Sequence, residues 1–401
     1  AEVTRSIEYI RATNSIVLEL DRAARTGFTG HKGSTVHHAL ERREPLGKVL
    51  CVAPFNYPVN ELLTTLVPAL LMGNVVIAKT PRFGVLANLA MAKVFAECFP
   101  AGVISMLPGD GKAVIPPIMQ AAYSSTEEGK PGQLLGMIDM LAFIGSEGAA
   151  HAIMRHHPSP VSLHKVLGLG SKNAAILLPG ADCARAAAAL VKGALGFNGQ
   201  RCTAEKLIFV HRSQADRFVD AFTAGVEALR VGMPWDPDVA ITPLPEDGKI
   251  DWMRGYIDEA LTQGAHVTNA GGGDACGALM RPAVLFPVAP GMRIFHEEQF
   301  GPIVPIASYD DPAEVIRWQQ SSPYGQQVGI WGPPEALPPM VQAFRRQVSR
   351  VNLDDVCQRG PDSFGFTATD KSGFGILSLR DALLTFSRPV LVQSTNRALL
   401  G

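Results

Sequence analysis

Short apolar runs alternate along this chain with longer stretches whose apolar residues recur at helical spacing. VLCVAPF (49–55), VVIAKT (75–80), GVISMLP (102–108) and MLAFIG (140–145) are brief and bounded by Gly or Pro, the pattern of buried strands. Between them RFGVLANLAMAKVFAEC (82–98) spaces Val85, Leu89, Ala92 and Ala96 as one helix face. AAILL (174–178) opens a second series. It runs through predicted helices over 183–195, 214–229 and 248–263, the strand KLIFVH (206–211), and the late strands GIWG (329–332) and SRVNL (349–353). Strand–helix alternation of this kind predicts parallel sheets covered by helices. The pattern therefore predicts two α/β domains with a boundary near 160–170. The polar stretch 123–136 and NAGGGDACG (269–277) read as loops.

Length and composition sharpen this reading. The chain has 401 residues, more than one ordinary core holds, and 47% hydrophobic against 18% charged residues suits a well-buried globular enzyme. A formal net charge of −1 without a basic stripe argues against nucleic acid as a partner. The longest apolar stretch, ELLTTLVPALLMGNVVIAK (61–79), is broken by Pro68, Gly73 and Asn74, so it reads as a helix followed by a strand, with no membrane span. Six cysteines lie far apart without a CxxC pair. That predicts no metal site, no disulfide framework, and a reducing compartment, either the cytoplasm or an organelle matrix.

Of these cysteines, Cys202 in GFNGQRCTA (196–204) has a distinctive neighbourhood. The adjacent Arg201 would raise its thiolate fraction if close to the sulfur. The remaining candidates are ambiguous one by one. PGDGKAVIPP (108–117) is an incomplete phosphate loop, and GSEGAA (145–150) is a Gly turn at a strand end. Asn56 in APFNYPVN (53–60) is either an amide donor or a turn asparagine. HEEQFGP (296–302) is either a functional acid pair or a solvated loop. Arg359 in CQRGPD (357–362) is either an anion ligand or half of a surface ion pair.

Their joint order is more specific. EVTRS, REPLGKVLCVAPFNYPVN, KNAAILLPGAD, KGALGFNGQRCTAEK, FHEEQFGPIVPI, VNLDDVCQRGPDSFGF and DKSGFGILSL together resemble the aldehyde dehydrogenase superfamily. Within it the chain is most similar to the NADP-dependent non-phosphorylating glyceraldehyde-3-phosphate dehydrogenases, from Glu2 to about Arg388. The resemblance implies two Rossmann-like open α/β domains plus a small β oligomerisation arm, N-terminally truncated relative to the family. The cofactor-binding domain would comprise 1–165 and 376–401, with the arm over about 28–46 and 384–394, and the catalytic domain 166–375. It implies Cys202 as nucleophile, with Asn56 and the Cys202 backbone N–H as oxyanion donors. It implies Arg5, Tyr57, Arg201 and Arg359 as ligands of the substrate phosphate. NADP or NAD would be held by Lys79, Gly145, Ser146, Glu298 and Phe300, with Arg82, placed by its spacing from Lys79, reaching toward a 2′-phosphate and Asp110 opposing that role. A homo-oligomer is implied, or a larger complex in which a partner replaces the sister subunit.

The chain departs from the pattern at one decisive place. The family's E-L-G-G-K motif supplies the glutamate that activates water for deacylation; here the stretch reads GLGSK, so Gly168 stands where that base should be. A positioned base is worth about 10²–10⁴ in rate, so hydrolysis of a thioester is the step expected to suffer. Glu147, Glu205 and Glu297 are the substitute acids on offer. Pro116 and Pro117 are expected in the opening turn of the helix beneath the pyrophosphate, and GSEG is one residue short of the family's nicotinamide loop. Three readings stay open: oxidation of glyceraldehyde 3-phosphate to 3-phosphoglycerate with turnover impaired or lost, an inactive subunit with a structural role in an assembly, and acyl release to coenzyme A.

Overall fold

The computed structural model describes residues 2–124 and 134–400, so most of the polar stretch 123–136 lies outside the described residues. The chain divides into two compact units. The first comprises 1–168, 360–367 and 374–401; the second comprises 169–359 and 368–373.

The first unit opens with helix α1 (Glu2–Thr26), followed by strands β1 (Phe28–Lys32) and β2 (Thr35–Pro45). These two pair antiparallel, and β2 pairs in turn with Ser387–Ser394, giving a separate three-stranded sheet over the stretches expected to form the arm. The main sheet is built on β3 (Lys48–Val52), β4 (Val75–Lys79) and β5 (Ile104–Leu107). Its five longer strands are parallel, in the order 164–168, 140–144, β3, β4, β5. Between the strands run α2 (Asn60–Leu71), α3 (Val85–Cys98), α4 (Gly111–Gln120) and α5 (Glu147–Met154). The chain moves outward from β3 to β5 and then returns to the far side of β3. The strand order therefore reverses between β3 and 140–144, and the carboxyl ends splay there into a crevice.

Two expectations need correction. Helix α3 forms where the periodicity placed it, but the face that packs is another one: Asn88 is buried and Met91 and Phe95 lie half-buried against the core, while Leu86, Leu89 and Val94 are exposed. Alternating Ala and Leu gave this helix apolar character on every side, so no stripe was favoured. Pro116 and Pro117 do not open α4. Asp110 accepts the Lys112 N–H at 3.1 Å as an N-cap, so the helix begins at Gly111 and the prolines fall in its second turn.

The second unit carries a seven-stranded sheet. From one edge its strands are 266–267, 283–286, 303–309, 207–211, 174–177, 327–331 and 350–353, parallel except for the edge strand 266–267. Helices α6 (Cys183–Leu195) and α7 (Ala215–Glu227) cover one face, where Leu190, Phe218, Phe222 and Val304 are all buried. Helix α8 (Lys249–Thr262) packs on the other face with Tyr256, Phe209 and Trp318. The stretch 269–277 is pinned rather than free. The Asn269 amide donates to the Pro282 carbonyl and accepts from the Val284 N–H, satisfying backbone groups the turn leaves unpaired.

Candidate active site

Cys202 lies in the second unit, in the loop between α6 and strand 207–211, and is half-buried. Its backbone carbonyl is the best-anchored atom nearby. Asn173 Nδ2 donates to it at 2.8 Å, Lys206 Nζ at 3.0 Å, and the Ser171 hydroxyl by a short bond. Lys206, only 1% exposed, also donates to the Arg201 carbonyl and the Ser171 hydroxyl, both at 2.8 Å. Asn173 reaches further, donating to Gln326 Oε1 at 3.1 Å and accepting the Gln327 N–H at 3.1 Å. All three donors come from residues that precede strands of one parallel sheet, as does Gln326, so they converge on its amino edge.

Glu298 belongs to this cluster. Its carboxylate accepts the Ser171 N–H at 3.0 Å and lies 3.3 Å from Lys206 Nζ. Gly170 makes room for it: a side chain there would overlap Glu298 Oε2. Gln299 turns the other way, donating to the Lys206 and Ile303 carbonyls at 3.0 and 2.9 Å and accepting from the buried Lys172 ammonium at 2.8 Å. Burial, then the neighbouring Lys206, push the Lys172 pKa well down; Glu298 and Glu297 oppose this. Lys249 donates to the Gln299 carbonyl at 3.2 Å and packs over the Trp252 ring. Burial lowers its pKa to about 8, with Glu246 and Glu298 pulling upward. Phe300 holds a left-handed φ of 41° immediately after this pair.

Arg201 runs back along the end of α6, with Nη2 donating to the Gly193 carbonyl, the usual way a guanidinium satisfies a helix C-terminus. Arg359 is buried at 8% exposure in the segment 355–359, in the same unit. Two of the substitute acids have contacts of their own. Glu297 accepts from the Tyr256 hydroxyl at 2.7 Å and pairs with Arg293, which holds its carboxyl below the usual range. Glu205 accepts the Cys357 N–H.

The other candidates belong to the first unit. Asn56 and Tyr57 occupy the bend between β3 and α2, past a strand's carboxyl end. Glu2 secures that bend: its Oε1 accepts the Val59 and Asn60 N–H groups at 2.8 and 2.6 Å, capping α2 in place of a local side chain. Arg5 is paired with Asp362, whose two oxygens lie 2.6 and 3.3 Å from its guanidinium nitrogens. Gly168 ends strand 164–168. Its carbonyl accepts the Gly145 N–H at 2.9 Å, and a Cβ added there would stand 3.3 Å from the Ile144 side chain, a tight approach that Ile144 must relieve by a few tenths of an ångström. Glu147 lies in the first turn of α5, whose N-cap is the Ser146 hydroxyl, accepting the Ala149 N–H at 3.3 Å.

At this sheet's reversal point a largely apolar cleft of about 570 Å³ is lined by Val52, Lys79, Asp110, Ile115, Phe143 and Ala149 among others. Burial lowers the Lys79 pKa, and Asp110 pulls it back up. A second cleft of about 620 Å³ brings Arg82 and Lys112 together with Asp110; Arg82 also lies over the Phe83 ring at 5.2 Å. Among the described residues no cluster of metal-ligating side chains occurs, and no helix is long and apolar enough to cross a membrane.

Reading the sequence missed Ser171, Asn173 and Lys206. One signal was available: polar residues stand immediately before the apolar strands at 174, 207 and 327, where a solvated loop would not need a lysine fixed between Cys202 and a core strand.

Comparison with known proteins bears on the family and the fold. The aldehyde dehydrogenase family model matches residues 1–392. An NADP-dependent glyceraldehyde-3-phosphate dehydrogenase of Streptococcus equinus is 34% identical over 385 residues, covering 94% of this chain and 75% of the relative. One from Pisum sativum is 30% identical over 86% of this chain, which spans 66% of that relative's length. The crystal structure of the Bacillus halodurans enzyme of that name, complexed with NADP, superposes with a TM-score of 0.87 at 33% identity, over 98% of this chain and 78% of that one. With a family match over nearly its whole length and an aldehyde dehydrogenase-like α/β fold, the chain belongs to the aldehyde dehydrogenase family.

Proposed function

We propose that the protein oxidises glyceraldehyde 3-phosphate with NADP through a covalent adduct on Cys202, capturing and oxidising the aldehyde well and releasing the acid slowly. The supporting observations are the triple anchoring of the Cys202 carbonyl and the absence of a side chain at Gly168, where the family pattern has its base. In this reading the first unit takes the cofactor and the second carries the nucleophile. The Cys202 thiolate adds to the aldehyde carbon, and the oxyanion that forms is met by the Cys202 N–H and the Asn56 amide, donors worth about 3 kcal/mol each where charge develops. The substrate phosphate is held by Tyr57, Arg201 and Arg359, with Arg5 joining only if it leaves Asp362.

The fit of NADP rests on the first unit's cleft, which lies at the strand-order reversal and has the size and apolar lining of an adenosine site. Lys79 would hold the ribose, Arg82 and Lys112 the 2′-phosphate, and Glu298 the nicotinamide ribose. When bound, NADP supplies the hydride acceptor that turns the thiohemiacetal into a thioester. Deacylation then needs water activated by a base, and residue 168 offers none.

Rapid mixing of the full chain with NADP and glyceraldehyde 3-phosphate should give a burst of NADPH near one equivalent per chain. A much slower phase should follow, with the acyl group found on Cys202 by mass spectrometry. Cys202→Ser should show neither. Absence of both burst and adduct in the parent protein would overturn the proposal in favour of a non-catalytic subunit. A slow phase accelerated by coenzyme A would replace hydrolysis with thiolytic release.

A further inference from the structure

Glu205 stands three residues past the nucleophile and is 1% exposed, a costly place for a carboxyl group. Its Oε1 accepts the Cys357 N–H. Its Oε2 lies against Gly193, where any side chain would overlap it, and has no hydrogen-bond partner. The Gly193 carbonyl is the one that receives Arg201 Nη2, and Arg201 Nε is likewise buried and unpartnered. One carboxyl thus touches three segments: the end of α6, the nucleophile loop, and the segment 355–359 that carries Arg359. That last segment is clamped from its other side by Arg350, donating to the Gln358 and Arg359 carbonyls at 3.1 and 3.3 Å.

The charged and titratable groups around Glu205 are Arg201 from the nucleophile loop and Cys357 from segment 355–359, with Lys206 acting on Cys357 from the start of strand 207–211. Burial raises the Glu205 pKa to about 7, moderated by the Cys357 N–H and Arg201. A leucine of similar volume would avoid the desolvation but could not accept the Cys357 N–H. The acceptor is therefore the property that position 205 supplies.

We infer that Glu205 is a positioning residue for an anion pocket beside Cys202, tying the Arg359 segment to the loop that carries Arg201 so that both guanidinium groups face one anionic electrophile. This rests on the reading above, in which Arg201 and Arg359 hold the substrate phosphate.

The test needs no turnover. In the full chain with the exposed Cys98 and Cys276 replaced by serine, alkylation of Cys202 is timed with iodoacetate and with iodoacetamide, and mapped by mass spectrometry. The ratio of the two rates, relative to that of glutathione, reads the positive charge presented to an anion at the sulfur; inorganic phosphate serves as competitor. The expected result is a raised ratio in the parent, suppressed by phosphate. In Glu205→Leu the ratio should fall about tenfold, the scale of one lost bond to a charged group, while the iodoacetamide rate stays unchanged. Glu205→Gln, which keeps an acceptor for Cys357, should retain the raised ratio. If the leucine variant does not fold, Glu205→Met carries the same prediction. A parental ratio equal to that of glutathione, insensitive to phosphate, would overturn the anion-pocket reading and this inference with it. A raised parental ratio that Glu205→Leu leaves intact, or a leucine variant in which both rates change in proportion, would overturn the role of Glu205 alone.

Discussion

The two units use opposite edges of their sheets. In the first, the cleft opens past the carboxyl ends of β3, β4 and 140–144, where strand order reverses. In the second, the polar cluster stands before the strands: Ser171 to Asn173 ahead of 174–177, Cys202 to Lys206 ahead of 207–211, Glu298 and Gln299 ahead of 303–309, and Gln326 ahead of 327–331. A carboxyl-edge cleft is made from backbone shape, helix starts and a few side chains, the ordinary ligand position of such sheets. An amino-edge cluster has no helix N-termini facing it. It is assembled here from buried lysines and amides that saturate loop carbonyls. The first kind of site tolerates single replacements; the second couples chemistry to stability.

That contrast can be broken or sharpened by substitution. The largest effect is expected at the boundary residue. Gly168→Glu asks the Ile144 side chain to give by a few tenths of an ångström, and restoring a base should raise steady-state NADPH production by about 10²–10⁴-fold while leaving the burst amplitude alone; an unchanged slow phase would mean that deacylation is limited elsewhere. Next, Lys206→Met leaves Glu298 and four carbonyl or hydroxyl acceptors without their buried cation. A loss of about 3–5 kcal/mol in urea unfolding is expected, the range for a broken buried pair, together with slower Cys202 alkylation.

Glu205→Gln should then show a pH-dependent gain in stability. The folded-state pKa of about 7 lies above the ordinary carboxyl value of 4.5. The parent is therefore fully stable with respect to this group below the unfolded value and loses stability as pH rises from 4.5 to 7. The thermal-midpoint gap between variant and parent should open across that window, on the order of 3 kcal/mol in all, and stay level above it. The smallest effect is expected in the other unit: Asp110→Ala removes the α4 N-cap at about 1 kcal/mol, and by removing a carboxylate beside Arg82 and Lys112 it should tighten NADP binding measured by calorimetry.

Much of this architecture was legible along the chain, and unevenly so for physical reasons. Buried parallel strands announce themselves as short apolar runs, so β3, β4, β5 and 140–144 fall where the pattern placed them. Helix α3 shows the limit: Ala and Leu spread around all sides define a helix without saying which face packs. The start of α4 was misplaced because two prolines in sequence look like a helix entrance, whereas Asp110 had already nucleated one. At the site, Cys202 stood out by its neighbourhood, and resemblance to a family proposed a role for it and for Glu298. Asn173 and Lys206 were not, because their role is to hold a backbone carbonyl, and no side-chain motif advertises that. Gly170 was legible as a glycine but not as the space filled by a carboxylate.

The anchored Cys202 carbonyl has one more implication. With three donors fixed on it, the peptide plane after Cys202 is set when the chain folds, before any ligand arrives. In the proposed reaction, aldehyde capture draws on a loop that has already lost its conformational freedom. Differences among aldehydes in their rate of attachment should accordingly track the electrophile's own reactivity and charge, with little contribution from loop ordering.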